Sequence, residues 1–203
     1  MNELKIANKT IKKAKENDSR IKFSPVGPLE KMKVLVYSDA SYLTIEGKAK
    51  SVAGKLIFLS SEDERVVSPL LWKSKTIPQV CKSAKSAETR AVDSATDDGL
   101  FLARSISEIY TGRKGRSHIP MIVKSDSKSL KDSLNSTKQV EEKMMRPVVQ
   151  HIKDMITRKE ITSFDWVDSK SCHADILTKK SAGETEKVLN IIKTGKNILM
   201  ADQ

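Results

Sequence analysis

The sequence predicts an α/β domain, a mixed five-stranded sheet with helices on both faces. Three short apolar runs with brief polar links follow one another over residues 33–73, which favours an antiparallel meander. Helical patterns then precede each of two later apolar runs, and a helical crossover favours strands that pair in parallel. We therefore expect strands 1 to 3 to be antiparallel and strands 4 and 5 to be parallel to strand 1.

The composition fits one globular domain with a polyanionic partner. The chain has 203 residues, and 37 basic against 26 acidic residues give a formal net charge of +11. Such an excess is typical of nucleic-acid-binding proteins, with a plain lysine-rich surface as the alternative. Cys81 and Cys172 lack the paired spacing of a zinc site, and the sequence shows neither a signal-peptide core nor a membrane-length apolar run. We expect an intracellular protein that is not secreted and has no membrane partner.

Residues 1–30 are predicted to be a basic tether or the tail of a preceding domain. Lysines surround a thin apolar stripe from Leu4 to Ala14, which indicates a basic helix that ends before Asn17. The run Pro25-Val26-Gly27-Pro28 then interrupts the backbone pattern. The compact domain is expected to span residues 31–203.

The meander is assigned to three runs rich in aliphatic residues. Gly47 and Lys48 mark the first turn, and the charged run Ser60–Arg65 forms the second. The three strands are Lys33–Asp39, Val52–Leu59 and Val66–Lys73.

The longest helix is predicted from Ser86 to Tyr110, because small and apolar residues recur there at intervals of three and four. Gly99 in its interior costs about 1 kcal/mol relative to alanine, so we expect a close packing contact there. The stripe comprises Ala91, Val92, Ala95, Gly99, Leu102, Ile106 and Ile109. The later elements are strand Met121–Asp126, helix Ser129–Leu134, helix Val140–Arg158 with a kink or break at Pro147, strand Ile161–Val167, and a helix from Asp175 onward.

Four carboxylates stand where a carboxylate is awkward for folding. Asp39 and Asp126 end apolar strands, Glu88 shares the core-facing stripe of the long helix, and Asp175 opens the last helix. A lone acid of this kind is usually a turn or cap residue. The carboxyl ends of neighbouring parallel strands, however, meet at one edge of an open α/β sheet. Acids gathered there need bound cations, and acids around divalent metal are suited to phosphodiester hydrolysis.

Several short motifs resemble the ribonuclease H domain of copia-type retrotransposon Pol polyproteins. They span residues 32–180 and read Tyr37-Ser38-Asp39-Ala40-Ser41, Ser51-Val52-Ala53-Gly54, Trp72-Lys73-Ser74-Lys75, Ala87-Glu88, Ser125-Asp126-Ser127-Lys128-Ser129 and Ala174-Asp175-Ile176-Leu177-Thr178-Lys179. The resemblance implies a ribonuclease H-like fold and an endonuclease that hydrolyses the RNA strand of RNA–DNA hybrids during reverse transcription. It also implies a reverse transcriptase domain in the same polyprotein, whose tail or connection is residues 1–30. The protein would then act in a cytoplasmic virus-like particle or in the nucleus.

The resemblance further implies catalysis by two Mg²⁺ ions, for which Mn²⁺ can substitute. Asp39 would contact both ions, Glu88 and Asp126 would help hold one, and Asp175 would help hold the other. One ion would activate the attacking water and the other would stabilise the leaving 3′ oxygen. These four acids are therefore both the catalytic and the metal-binding candidates.

Other candidates surround the predicted edge. His173 is considered as a proton shuttle, beside the reading of a surface or cap histidine. Trp72 is a stacking candidate or a core residue, whereas Trp166 is predicted to be core. Residues proposed to bind substrate are Ser41, Lys73, Lys75, Lys85, Ser127 and Ser129.

The chain departs from the family pattern at two points. Ser127 stands where the family usually has asparagine after the third acid, and it reaches less far toward substrate. The loop Asp168–Cys172 is too short to carry the flexible histidine that cellular ribonucleases H place before the last acid.

Three other functions are weighed against hybrid cleavage. A catalytically silent binding or scaffolding domain, as in the connection region of reverse transcriptases, loses carboxylates, whereas this chain keeps all four. Integrase and transposase domains place their glutamate last, but here Glu88 precedes Asp126. Proofreading exonucleases need two acids one residue apart on the first strand, and Asp39-Ala40-Ser41 lacks the second. The silent domain stays as the main alternative.

Overall fold

The computed structural model of the protein describes residues 2–16, 20–43, 50–138, 140–179 and 182–197. In this part of the chain the elements follow the predicted order, and none of the helices is long and apolar enough to cross a membrane. The strands are β1 (Lys33–Ser41), β2 (Val52–Ser60), β3 (Val67–Thr76), β4 (Met121–Ser125) and β5 (Ser163–Trp166). The helices are α1 (Asn2–Glu16), α2 (Ala84–Thr111), α3 (Lys128–Asn135), α4 (Arg146–Thr157) and α5 (Ala182–Thr194).

The sheet has the predicted mixed topology, with strand order β3-β2-β1-β4-β5. Strand β1 pairs antiparallel with β2, and β2 pairs antiparallel with β3. Strand β4 is parallel to β1, and β5 is parallel to β4. The central position of β1 places its carboxyl end beside that of β4. The predicted turn residues Gly47 and Lys48 lie outside the described residues.

Helices cover both faces of the sheet, as predicted. Successive side chains of a strand point to opposite faces. Val34 and Val36 of β1 therefore pack into a core cluster with α2 and α4, whereas Leu35 and Tyr37 pack into a second cluster with α5. Burial on both faces explains why β1 reads as a nearly continuous apolar run.

Helix α2 begins two residues earlier than predicted, because Ser83 caps it. The Ser83 hydroxyl accepts the Ser86 N–H, and the Ser86 hydroxyl accepts the Ser83 N–H, which forms a capping box. The helix ends at Gly112, whose φ of 66° is left-handed. Since the helix begins at Ala84, Glu88 lies in its second turn.

Gly99 makes the close packing contact predicted for α2. A Cβ at this position would lie 2.5 Å from Val36 Cγ2 and 3.0 Å from Met121 Sδ. The buried line continues from Gly99 through Ala103 and Ser107. The predicted stripe is therefore wrong at Ile109, which is 80% exposed.

Two helix assignments need correction. Pro147 does not kink a helix that starts at Val140; it lies in the first turn of α4, where its missing N–H leaves no hydrogen bond unmade. Asp175 does not open the last α-helix. It lies in a short 3-10 helix, His173–Leu177, and α5 begins only at Ala182.

The segment just before β1 packs on the domain. The Ser68 hydroxyl accepts the N–H of Ser24 and donates to its carbonyl, both at 2.8 Å, and Val26 is buried. Packing thus begins ahead of residue 31, whereas α1 leaves Leu4 and Ile11 exposed. The assignment of the first 30 residues to a preceding domain stays a prediction.

Candidate active site

Three of the four predicted acids meet at one edge of the sheet. Asp39 lies near the end of β1, Asp126 follows β4, and Asp175 lies in the 3-10 helix His173–Leu177. One carboxylate oxygen from each lies within 4.8 Å of those of the other two. Because β1 and β4 are adjacent and parallel, their carboxyl ends bring Asp39 and Asp126 together. We call these three residues the acidic trio.

Glu88 stands beside the acidic trio, not within it. Its Oε1 accepts the backbone N–H of Ala40 at 3.2 Å, which ties the α2 side chain to the residue next to Asp39. Its Oε2 is buried and has no hydrogen-bond partner among the described residues. The structure therefore leaves Glu88 one uncommitted oxygen.

Asp126 is held by β5 and the loop that follows it. Ser169 Oγ donates to Asp126 Oδ2 at 2.6 Å, and Trp166 Nε1 donates to the Asp126 backbone carbonyl at 3.0 Å. The prediction that Trp166 is a core residue is wrong. It lies at the end of edge strand β5 and is 45% exposed. Because its Nε1 contacts the backbone of Asp126, its ring borders the acidic trio.

Asp39 and Asp175 are contacted by the two residues after the 3-10 helix. The Thr178 hydroxyl donates to Asp39 Oδ2. Lys179 Nζ lies 2.9 Å from Asp175 Oδ2 and 3.6 Å from Asp39 Oδ1. The second oxygen of Asp175, Oδ1, is buried without a hydrogen-bond partner among the described residues. The sequence pattern points to Asp175 but gives no reason to single out Thr178 or Lys179.

Gly54 lets this segment lie directly on the sheet. Gly54 pairs with Asp39 across β1 and β2, and a Cβ there would lie 2.8 Å from Thr178 Cγ2 and 2.9 Å from Leu177 Cβ. On the next strand, Ser74 pairs with Gly54, and its hydroxyl donates to the Leu177 carbonyl at 2.6 Å. Small residues at these two positions thus seat the segment that carries the fourth acid.

Burial and mutual repulsion disfavour the ionised forms of these acids. Burial raises the pKa of Asp39 to about 7. The hydrogen bond from Thr178 lowers this pKa, whereas the charge of Asp175 raises it further. Burial and the charges of Asp39 and Asp126 raise the pKa of Glu88 to about 9. Burial raises the pKa of Asp175 as well. A divalent cation at this position would favour the ionised forms and so oppose these shifts.

When a chelator removes metal, the free energy of unfolding is expected to decrease as the pH rises from about 6.5 to about 8.5. In the unfolded chain the carboxyl groups are ionised above about pH 5. In the folded protein Asp39 and Glu88 keep their protons up to about pH 7 and about pH 9. The folded state therefore binds more protons in this window, so the free energy of unfolding falls with pH, by about 2 kcal/mol.

Denaturant unfolding in EDTA at several pH values measures this slope. Burial lowers the pKa of His173 to about 4, so His173 affects stability only below about pH 6.5. The hydrogen bond to Asp93 raises the pKa of His151, which adds a slope of the same sign. Glu88→Gln isolates the acid contribution and should flatten the curve. A free energy of unfolding that stays constant or rises over the window would contradict the prediction.

The predicted substrate-binding residues do not form one surface. Lys85 and Ser129 line a cavity of about 660 Å³ beside α2 and α3. Ser127 is buried, and its hydroxyl oxygen lies 3.4 Å from that of Ser129. Lys73 and Lys75 line a separate groove of about 350 Å³ between β3 and α2. The structure thus places basic side chains on two sides of the amino-terminal half of α2.

His173 is a core residue. It is 4% exposed, its ring centroid lies 4.5 Å from that of Tyr37, and its Nε2 lies 3.4 Å from Asn197 Oδ1. The expectation of a surface or cap histidine is therefore wrong, and the proton-shuttle hypothesis gains no support from this buried position. Ser41 is likewise buried, near the end of β1.

Trp72 lies on the outer strand β3 and is 51% exposed, so the core interpretation is wrong for this residue too. Trp72 is two residues before Ser74 in β3, so the two side chains lie on the same face of the strand. Ser74 is the residue that contacts the 3-10 helix. Its candidacy for stacking on a sugar or base stays a prediction.

Comparison with known proteins identifies the fold. No family model and no curated protein matches the chain. LC11-RNase H1, isolated from compost by a metagenomic approach, matches with 15% identity and a TM-score of 0.51 over 76% of this chain and 98% of that chain. Its complex with an RNA/DNA hybrid matches with 14% identity and a TM-score of 0.52 over 76% and 99%.

A third match comes from Mycobacterium tuberculosis. The N-terminal RNase H domain of rv2228c, solved as a fusion with maltose-binding protein, has 14% identity and a TM-score of 0.50 over 79% of this chain and 96% of that chain. At such low identity the matches report on the fold alone. Together with the sheet order, they show that this chain has a ribonuclease H-like fold.

Proposed function

We propose that the protein is an endonuclease that hydrolyses the RNA strand of RNA–DNA hybrids with bound Mg²⁺. The carrying observation is the acidic trio, whose oxygens lie within 4.8 Å of one another at one sheet edge. A shared fold alone does not imply a shared function, and it is these side chains that indicate metal-dependent hydrolysis. In support, LC11-RNase H1, which has the same fold, has been solved with an RNA/DNA hybrid.

The residues present fit hard divalent cations. Mg²⁺ prefers carboxylate oxygens. Two buried carboxylate oxygens, Glu88 Oε2 and Asp175 Oδ1, lack hydrogen-bond partners among the described residues. Asp39, Glu88, Asp126 and Asp175 would hold the metal. When bound, Mg²⁺ supplies positive charge for the phosphate and makes water a better nucleophile at neutral pH.

The protein's own contribution is a preorganised set of acids. Ser169 and Trp166 hold Asp126, and the Ala40 N–H holds Glu88. Side chains fixed in this way keep their oxygens in place without a cost in rotamer freedom when the site is loaded. The 3-10 helix carries Asp175 on one face of the sheet, and α2 carries Glu88 on the other. The acids therefore approach the ends of β1 and β4 from both faces.

Charge and exposed side chains support a nucleic-acid substrate. The net charge of +11 favours association with phosphates. Lys73 and Lys75 on one side of α2, and Lys85 on the other, lie in cavities at the end of the sheet that carries the acidic trio. Selection of the RNA strand would come from 2′-hydroxyl contacts in the minor groove of the hybrid.

The retrotransposon context is a second part of the proposal. The resemblance of the closing motif Ala174–Lys179 to copia-type Pol polyproteins is its support. Thr178 and Lys179 contact the acids directly, so this motif belongs to the candidate active site. We place the domain beside a reverse transcriptase, in a virus-like particle or the nucleus.

Purified protein of residues 1–203 is expected to cut the RNA strand of a labelled hybrid in Mg²⁺ or Mn²⁺. Cleavage should stop in EDTA, and the products should carry 5′-phosphates. DNA duplex and RNA duplex of the same sequence serve as substrate controls and should stay intact. Binding of the hybrid without cleavage in either metal would instead indicate the catalytically silent domain.

A further inference from the structure

Lys179 places its ammonium group between two acids of the trio. Its Nζ lies 2.9 Å from Asp175 Oδ2 and 3.6 Å from Asp39 Oδ1. The lysine side chain is 45% exposed, whereas those of Asp39 and Asp175 are 1% and 5% exposed. The lysine therefore reaches from solvent onto carboxylates that are themselves buried.

We propose that Lys179 is the counter-ion of the acidic trio when no metal is bound, and that a divalent cation must displace its ammonium group in order to bind. This inference rests on the metal site of the proposed function. An ammonium group donates into the same carboxylate lone pairs that a metal ion would take, and two cations at that distance repel each other. Lys179 therefore holds the acids together without metal and lowers the apparent metal affinity.

The local structure allows this exchange with little movement. The Thr178 hydroxyl is bound to Asp39, and the Leu177 carbonyl is bound to Ser74, so the backbone is held up to the residue before Lys179. The lysine side chain is a flexible four-carbon stem. Rotation of that stem into solvent frees Asp39 Oδ1 and Asp175 Oδ2 while the segment that carries Asp175 stays seated.

The consequence is a lower apparent metal affinity and a smaller stabilisation of the protein by metal. The wild-type protein exchanges one cation for another, so its net gain of stability on metal binding is smaller than that of a protein whose acids begin without a counter-ion. Removing the ammonium group should therefore lower the stability of the metal-free protein and also raise its metal affinity. If the lysine only stabilised the fold, its removal would lower the stability and leave the metal affinity unchanged.

The test compares Lys179→Met with Lys170→Met by calorimetric titration of the full chain with Mg²⁺ and Mn²⁺. Lys170 is exposed and follows Ser169 in the loop that holds Asp126. Its replacement by methionine removes the same charge as Lys179→Met, at a side chain that does not contact the trio. Lys179→Met should bind metal about tenfold more tightly than wild type. It should also have a lower melting temperature in EDTA and a larger increase on adding metal, whereas Lys170→Met and Lys179→Arg should stay close to wild type.

The outcomes separate this inference from the proposed function. Equal metal affinity in wild type, Lys179→Met and Lys170→Met overturns the role of Lys179 and leaves the metal site standing. Absence of metal binding in all of them overturns both. If Lys179→Met does not fold, the wild-type lysine ammonium signal in ¹⁵N NMR, assigned with Lys179→Arg, decides the matter. That signal should change on saturation with Mg²⁺, and an unchanged signal contradicts displacement.

Discussion

Asp39→Asn and Asp126→Asn are each expected to slow hybrid cleavage by at least about a thousandfold, the equivalent of about 4 kcal/mol. Asparagine keeps the size of aspartate but carries no charge, so the trio loses part of the negative potential that attracts divalent cations. Asp39 contacts Thr178 and Lys179, whereas Asp126 contacts Ser169. The two substitutions therefore change different sets of contacts in the site.

Single-turnover cleavage of a labelled hybrid at saturating protein measures this loss. Binding of the hybrid should persist, because Lys73, Lys75 and Lys85 lie outside the trio. Asp165→Asn is the matched control, since Asp165 lies on β5 and is not a member of the trio. Residual cleavage of more than about a tenth of the wild-type rate in either trio variant would contradict the metal assignment.

Gly54→Ala is expected to slow cleavage about a hundredfold, because misplacement of catalytic groups by about 1 Å has that effect. The new methyl group would meet Thr178 Cγ2 at 2.8 Å, Leu177 Cβ at 2.9 Å and the Ala174 carbonyl oxygen at 3.0 Å. The backbone of the 3-10 helix must therefore shift away from the sheet and take its acid with it. The same crowding should lower the free energy of unfolding by about 1–3 kcal/mol.

Gly99→Ala is the control that separates displacement from simple destabilisation. Its methyl group would also be crowded, at 2.5 Å from Val36 Cγ2, but on the opposite face of the sheet, under α2. We expect a change in stability with a nearly normal cleavage rate per folded molecule, measured below the unfolding transition. Equal loss of rate in both variants, or a normal rate in Gly54→Ala, would contradict the role of Gly54 as a positioning residue.

Local sequence patterns were sufficient for the strands and for α2. A run such as Val34–Tyr37 is apolar on both faces, and the recurrence of small residues at intervals of three and four around Gly99 is a helical signature. The same kind of reasoning failed at Pro147, because proline suits the first turn of a helix as well as a kink. It also failed for Trp72 and Trp166, since a strand pattern does not tell which strand lies at the edge of a sheet.

The four acids themselves, their order along the chain and the basic excess were determined by the sequence alone, because residue type and order are read directly from it. Two of the acids, Asp39 and Asp126, also follow strands that the apolar runs predict. Only the tertiary structure decided how the site is held. Gly54 and Ser74 seat the 3-10 helix, Ser169 and Trp166 fix Asp126, and Lys179 lies between two acids. The Ser74–Leu177 hydrogen bond joins residues 103 positions apart, and periodicity carries no information about such pairs. They exist because the sheet brings distant segments to one edge, where buried charge must be balanced by whatever the fold places beside it.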